Sequence, residues 1–265
     1  MYDFTYHRPA SLDDAVKALE GADDGKLLAG GHTLIPTLKQ RLASPSDVID
    51  LSGISSLQGI SESGGTVVIG ATTTHAAVAS DALVKSKIPA LSHLADGIGD
   101  AQVRNRGTIG GSIANSDPAA DYPAGLVGLG ATVKTNKREI AADDFFTGLF
   151  ETALDDGEIV TAVRFPVPRA AAYVKFPNPA SRYAIVGVFV ARTGDGVRVA
   201  VTGAGPGVFR VPEMEAALAA NFSADAVAGI AVAPDDLNAD LHASADYRAS
   251  LVTTMAKRAV AAAGG

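Results

Sequence analysis

Two double-glycine segments constrain what this chain can fold into more than any other feature. The first, residues 29–33 (AGGHT), follows an apolar run that predicts a buried strand and precedes a helical pattern. The second, residues 108–112 (TIGGS), lies within residues 99–123, where weak periodicity and many turn formers predict a long loop. Glycine lets a backbone N–H group approach an anion without an intervening Cβ, so such turns can form anion-binding nests.

The pair of segments is more informative than either segment alone, because a single Gly-Gly is better explained as a tight turn. Two such segments that meet in space would hold a diphosphate from two sides. The hydroxyl groups of Thr33, Thr108 and Ser112 would add hydrogen-bond donors. Positive charge can come from three nearby basic side chains: Lys26, Arg104 and Arg106.

Other nucleotide-binding and hydrolytic motifs are missing. The sequence contains no G-x-x-x-x-G-K-[ST], no G-x-G-x-x-G after a strand, no G-x-S-x-G and no H-E-x-x-H. Residues 203–207 (GAGPG) follow a predicted strand without a helix directly after them, so they predict a turn. The five histidines are scattered and show no metal-ligand spacing, so no metal site is predicted.

The composition is that of a folded protein, and if the chain performs redox chemistry it requires an organic cofactor. Hydrophobic residues make up 47% of the 265 residues and charged residues 19%. The chain has no cysteine, which excludes disulfides and cysteine-held iron–sulfur clusters within it. The net charge is -7 without a basic run, so nucleic acid is not an expected partner. Neither a signal-peptide pattern nor a membrane-spanning stretch is evident, and we expect a cytoplasmic protein.

The periodicity changes near residues 166–172, which predicts a domain boundary. Before it, strands alternate with short helical patterns; the first helix is expected to start at Ser11, with Asp14 three residues on. After it, three strands in succession are followed by two helical segments, at residues 212–220 and 245–263. We therefore predict an α+β fold with an N-terminal domain at 1–168 and a smaller α+β domain at 169–265.

The glycine segments and their surroundings resemble the FAD-binding medium subunit of molybdenum hydroxylases, the group of carbon monoxide dehydrogenase and xanthine dehydrogenase. The resemblance rests on residues 29–33, 107–115 (GTIGGSIAN) and 117–121 (DPAAD), and it extends over essentially the whole chain. It implies a vanillyl-alcohol oxidase-like (PCMH-like) FAD domain of two α+β subdomains, at about 1–55 and 56–168. The C-terminal domain would resemble that of carbon monoxide dehydrogenase flavoproteins.

The resemblance also implies which residues contact FAD. Ser112 stands where many relatives have Asn, which changes the detail of one contact but keeps a hydrogen-bond donor. Tyr183 would approach the flavin ring, although it can equally be an aromatic side chain packed on a strand of the C-terminal domain. Non-covalent binding is expected, with covalent attachment through His32 as the less favoured alternative. The expected FAD-binding residues are Lys26, Ala29, Gly30, Gly31, His32, Thr33, Leu34, Gly107, Thr108, Ile109, Gly110, Gly111, Ser112, Asn115, Asp117, Asp121, Lys175 and Tyr183.

A role in electron transfer follows from the same resemblance. FAD would be the cofactor of this chain, whereas a small subunit would carry the [2Fe-2S] clusters and a large subunit the molybdopterin. Such complexes are expected to be dimers of heterotrimers, in which FAD takes electrons from the clusters and passes them to an external acceptor. No catalytic side chain is predicted, because the cofactor carries the chemistry. The alternatives are a free-standing flavin oxidase of a small molecule and a non-catalytic assembly subunit.

Overall fold

The computed structural model describes residues 1–265 and has the predicted α+β architecture. Its first unit is a three-stranded parallel sheet in the order β1-β3-β2 with helices in the connections. Ser11 caps the first helix as predicted, since its Oγ accepts a hydrogen bond from the N–H of Asp14 at 3.2 Å. The elements are β1 (Thr5–His7), α1 (Leu12–Glu20), β2 (Gly25–Leu28), α2 (Leu34–Lys39) and β3 (Asp47–Asp50).

The second unit is built on a five-stranded antiparallel sheet in the order β4-β5-β10-β6-β7, with a separate β8-β9 hairpin. Its strands are β4 (Ile60–Ser63), β5 (Thr66–Gly70), β6 (Thr132–Thr135), β7 (Glu139–Ala141), β8 (Phe146–Gly148), β9 (Glu151–Thr152) and β10 (Val160–Pro166). Its helices are α3 (His75–Ser80), α4 (Ala82–Lys87), α5 (Pro89–Asp96), α6 (Ala101–Arg104), α7 (Ile109–Asn115), α8 (Tyr122–Leu129) and α9 (Ala142–Phe145).

The prediction of a long loop over residues 99–123 is wrong, because this segment contains α6, α7 and the start of α8. The second double glycine lies in the first turn of α7. Thr108 caps this helix by accepting the N–H of Gly111, and Ile109 and Ile113 are both fully buried on one face. Tertiary burial of that face outweighs the low helix propensity of the glycines. Local sequence reasoning detects the low propensity but not the burial.

The third unit is an antiparallel sheet in the order β11-β12-β13-β14 with two helices, as the sequence predicts for its main elements. Eight consecutive residues at the start of β12 are buried, because the strand is covered on both faces. Val188 and Val190 contribute to the core under the C-terminal helices, whereas Phe189 contributes to the core of the second unit. The elements are β11 (Ala170–Pro177), β12 (Ala184–Thr193), β13 (Gly196–Thr202), β14 (Phe209–Arg210), α10 (Pro212–Ala220) and α11 (Ala245–Ala262).

The largest hydrophobic core runs across the predicted domain boundary. The boundary near residue 168 falls between β10 and β11, yet Tyr173 and Phe189 pack with the residues of α8 and the five-stranded sheet. The division into 1–168 and 169–265, and of the former at about residue 55, stays a prediction. None of the helices has the length and apolar character required to cross a membrane.

Candidate functional site

A cavity of about 750 Å³ lies where the three units meet. Its walls include the turn between β2 and α2, the start of α7, the segment 117–121 and the loop 181–183. All expected site residues except Ile109 and Lys175 line it. Those that do are Lys26, Ala29, Gly30, Gly31, His32, Thr33, Leu34, Gly107, Thr108, Gly110, Gly111, Ser112, Asn115, Asp117, Asp121 and Tyr183.

The turn after β2 presents a row of free backbone donors to this cavity. Gly31 adopts φ +75°, a conformation that favours glycine, and so changes the direction of the chain between β2 and α2. The N–H groups of residues 30–33 donate to no acceptor within the chain, and neither does the hydroxyl group of Thr33. Consecutive free N–H groups form a nest for an anion, so this turn has the donors that a phosphate group requires.

The two double-glycine segments are in direct contact. A Cβ at Gly30 would lie 2.8 Å from the Cα of Gly107 and would overlap the carbonyl oxygen of Arg106. A Cβ at Gly111 would lie 3.7 Å from the Cβ of Ala29. The predicted convergence of the segments is therefore confirmed, and glycine at position 30 is required because the neighbouring backbone leaves no room for a side chain.

The backbone of the second segment is not free to bind a ligand in the same way. The N–H groups of Ile109 and Gly110 donate to the carbonyl oxygens of Thr73 and Ala71, at 3.1 and 2.8 Å. These bonds attach the start of α7 to the turn between β5 and α3. The expectation that both segments offer an amide nest is met by the first segment only.

Side chains take the place of amides at the second segment. The Oγ1 of Thr108 accepts the N–H of Gly111 at 3.2 Å, so its own proton is directed elsewhere. Neither that hydroxyl proton, nor the hydroxyl group of Ser112, nor the side-chain amide of Asn115 has a partner within the chain, and all three residues line the cavity. The second segment therefore adds hydroxyl and amide donors to the cavity that the nest lines.

Asp121 is held at the cavity wall by two residues of β11. The carboxylate of Asp121 is 4% exposed and accepts hydrogen bonds from the hydroxyl of Tyr173 and, at 3.0 Å, from Nζ of Lys175. Lys175 also donates to the carbonyl oxygen of Gly97 at 2.9 Å. Burial raises the pKa of Asp121, while Lys175 and Tyr173 oppose that shift. Lys175 thus lies behind the wall and supports it, whereas the sequence placed it among the cofactor contacts.

The basic side chains predicted near the phosphates are only partly in place. Lys26 lines the cavity, with its Nζ 2.8 Å from a carboxylate oxygen of Asp24. Arg104 and Arg106 do not line it, and Arg104 donates instead to two main-chain carbonyl groups. Arg182, which the sequence did not single out, does line the cavity.

Tyr183 stands at the edge of the cavity rather than within the sheet. It precedes β12, lines the cavity and is 47% exposed, so packing against a strand does not describe its position. Partial burial, followed by the charges of Asp117 and Asp121, raises its pKa. The carboxylate of Asp117 accepts the N–H of Ala119 at 2.9 Å and so stabilises the turn that carries Asp121.

Several cavity residues were not predicted from the sequence, because they belong to no local motif. His75, the first residue of α3, was counted only as one of five scattered histidines, yet it is 5% exposed and lines the cavity. An apolar part of the wall comes from Leu51 and from Leu154, Ile159 and Val160, about a hundred residues further along the chain. Only the tertiary structure brings these residues together.

Comparison with known families identifies the chain. The family model described as "FAD binding domain in molybdopterin dehydrogenase" matches residues 2–168. The chain belongs to this family. It is a member of the FAD-binding medium subunits of molybdenum hydroxylases, and its cofactor is FAD.

Relatives and solved structures agree with this assignment. The chain is 37% identical to the carbon monoxide dehydrogenase medium chain of Hydrogenophaga pseudoflava, over 98% of this chain and 96% of the relative. It is 35% identical to the nicotine 6-hydroxylase medium subunit of Paenarthrobacter nicotinovorans, again over 98% and 96%. The crystal structure of a Cu,Mo-CO dehydrogenase in its cyanide-inactivated form matches with a TM-score of 0.91, 35% identity and coverage of 99% and 98% of the two chains.

The residues of this FAD-binding subunit fit the cofactor. The free N–H groups of residues 30–33 suit phosphate oxygens, and the unpartnered hydroxyl groups of Thr108 and Ser112 lie in the same cavity. A cavity of about 750 Å³ with both polar and apolar walls is of the size that cofactor sites usually have.

Proposed function

We propose that this chain is the electron-transfer subunit of a heterotrimeric molybdenum hydroxylase. In that role, FAD receives electrons from [2Fe-2S] clusters of a small partner subunit and passes them to an external acceptor. The observation that carries the proposal is the contact between the two glycine segments at one cavity, with four consecutive free N–H groups on one side. FAD supplies the chemistry, since it accepts electrons one at a time and releases a pair.

The chain's own residues bind and orient the cofactor in this proposal. The turn at residues 30–33 and the side chains of Thr108, Ser112 and Asn115 hold the diphosphate. Asp121 is positioned by Tyr173 and Lys175 to meet a sugar or ribityl hydroxyl group. Tyr183 would contact the flavin ring at the open side of the cavity.

The partners follow from the absence of cysteine and from the relatives. A chain without cysteine holds no cysteine-ligated cluster, so the clusters must lie on another polypeptide. The relatives are named as medium chains or subunits, of a carbon monoxide dehydrogenase and of a nicotine 6-hydroxylase. We propose an iron–sulfur small subunit and a molybdopterin large subunit as partners, assembled as a dimer of heterotrimers. The cytoplasmic location expected from the sequence stays a prediction.

Reconstitution tests the proposal in two steps. The purified chain is mixed with FAD, and binding is followed by the change in flavin fluorescence; a chain that takes up no flavin contradicts the proposal. The chain is then co-expressed with candidate small and large subunits, and metal content and molecular mass are measured. A stable complex in which reduced clusters bleach the visible absorbance of FAD supports electron transfer.

The two alternatives predict different results in the same experiment. A free-standing flavin oxidase would bind FAD but would be reduced by a small molecule without any partner. An assembly subunit would join the complex without a flavin. The other subunits would then transfer electrons equally well whether or not FAD is present on this chain.

A further inference from the structure

His75 is a buried polar side chain at the cavity that the glycine motifs do not explain. It is 5% exposed, lines the cavity and forms no side-chain hydrogen bond within the chain. Its Nδ1 is fully buried without a partner, as is the hydroxyl group of Tyr122, whose ring lies 5.3 Å from the imidazole. The Nε2 atom of His75 also has no partner within the chain, but it is not fully enclosed by protein, so it is the ring nitrogen that a ligand in the cavity can reach.

The other ring nitrogen is directed to the glycine motif. A Cβ at Gly107 would lie 2.5 Å from the Nε2 of His75, so these groups are in close contact, and Gly107 itself lines the cavity. The backbone N–H of His75 also donates to the carbonyl oxygen of Gly107 at 3.0 Å. His75 is thereby fixed against the segment that meets the amide nest at Gly30.

The surroundings determine the charge and tautomer of the ring. Burial, followed by the nearby His32 and Arg104, lowers the pKa of His75 to about 4, so the imidazole is neutral at pH 7. A neutral imidazole has one N–H group, and a buried N–H without an acceptor is rarer than a buried acceptor without a donor. The proton therefore belongs on Nε2, beside Gly107, and Nδ1 remains the buried acceptor.

We propose that His75 is an FAD-binding residue whose Nε2–H donates a hydrogen bond to a phosphate oxygen of the cofactor. This inference rests on the proposed diphosphate position at the two glycine segments. It assigns the neutral imidazole as a further donor in the cavity that Thr108 and Ser112 line. It also explains why Gly107 cannot carry a side chain, which would displace the ring.

Two substitutions of His75 test the inference because they preserve different nitrogen positions. In His75→Gln the side-chain amide reaches the position of Nε2, whereas in His75→Asn it reaches only that of Nδ1. We expect His75→Asn to weaken FAD binding about 10- to 100-fold, and His75→Gln to stay within about threefold of the wild type. Dissociation constants come from flavin fluorescence, with thermal melting of the FAD-free proteins as the folding control.

Simpler ligands locate the contact at the phosphates. ADP should lose affinity for His75→Asn by the same factor as FAD, whereas adenosine should bind wild type and variant equally. Equal losses for ADP and adenosine, or unchanged FAD binding by a folded His75→Asn, overturn the inference. Failure of the wild type to bind FAD would contradict the proposed function instead.

A measurement on the wild type covers the case in which His75→Asn does not fold. Nitrogen-15 NMR of labelled histidine identifies the tautomer, and the signal of His75 is the one missing from His75→Gln. We expect an Nε2–H tautomer whose shift changes when FAD is added. An Nδ1–H tautomer, or a signal that FAD leaves unchanged, contradicts the inference.

Discussion

Gly30 packs against the backbone of Gly107, with its Cβ position only 2.8 Å from the Cα of that residue. This contact joins a turn of the parallel sheet to the start of a helix from a different unit. Because both partners are backbone atoms, neither can move aside as a flexible side chain would. The shape of the cavity therefore depends on glycine at position 30.

Replacing Gly30 with alanine should separate the two segments. The added Cβ overlaps the carbonyl oxygen of Arg106, so we expect a loss of about 1–3 kcal/mol in the free energy of unfolding and a loss of FAD binding. Urea denaturation and flavin fluorescence measure the two effects. Gly229→Ala is the matched control, since a Cβ there meets no atom within 4 Å. Equal behaviour of the two variants would contradict the expectation.

Ser112→Ala should weaken FAD binding without affecting the fold. The hydroxyl of Ser112 has no partner within the chain and lines the cavity, so its removal costs only the contact with the cofactor. A hydrogen bond to a charged group contributes about 1.5–3 kcal/mol, which corresponds to about 10- to 100-fold in the dissociation constant. Ser250→Ala, on an exposed position of α11, is the control and should bind FAD as the wild type does.

Lys175→Met should destabilise the protein because it leaves a buried carboxylate at Asp121 without its cation. Breaking a buried ion pair costs about 3–5 kcal/mol, so we expect the free energy of unfolding to fall by that amount. Urea denaturation at pH 7 measures it. Without Lys175 the pKa of Asp121 rises further, so acidification should protonate Asp121 in the variant. The difference in the free energy of unfolding between variant and wild type should then become smaller.

The double variant Asp121→Asn/Lys175→Met is the control for this pair. Removing both charges should cost less than the sum of the two single substitutions, because no unpaired charge remains buried. Additive losses in the double-mutant cycle would mean that the two side chains contribute independently.

The stability of the FAD-free protein should fall with acid through His75. The folded pKa of about 4 lies below the unfolded value of 6.5, so the folded state binds fewer protons in between. The stability contributed by the neutral imidazole is complete above pH 6.5 and is lost as the pH falls to 4. The loss in the free energy of unfolding amounts to about 3 kcal/mol. Urea denaturation of wild type and His75→Gln at pH 7 and pH 4.5 isolates it. If the free energy of unfolding falls equally in the wild type and in His75→Gln, the acid sensitivity belongs to groups other than His75.

Part of the candidate site could be predicted from the sequence, because the residues of that part are contiguous. The two glycine segments carry their own signal, since paired glycines followed by hydroxyl residues need no knowledge of distant contacts. The strands of the C-terminal unit were predicted for the same reason, as the short runs of apolar and β-branched residues between 173 and 201 are a local pattern. The helices between residues 99 and 123 were missed because burial of Ile109 and Ile113, not propensity, stabilises α7.

The sequence by itself determined the α+β class and the absence of cysteine-held clusters, because composition and local patterns carry that information. Its glycine motifs also indicated a flavoprotein family, through their resemblance to that family. Only the tertiary structure decided that the first segment offers free amides while the second has its amides occupied, and that Lys175 lies behind the wall. It alone brought His75 to the cavity. Hydrogen-bond partners and burial depend on which distant segments pack together, and no local spacing records that.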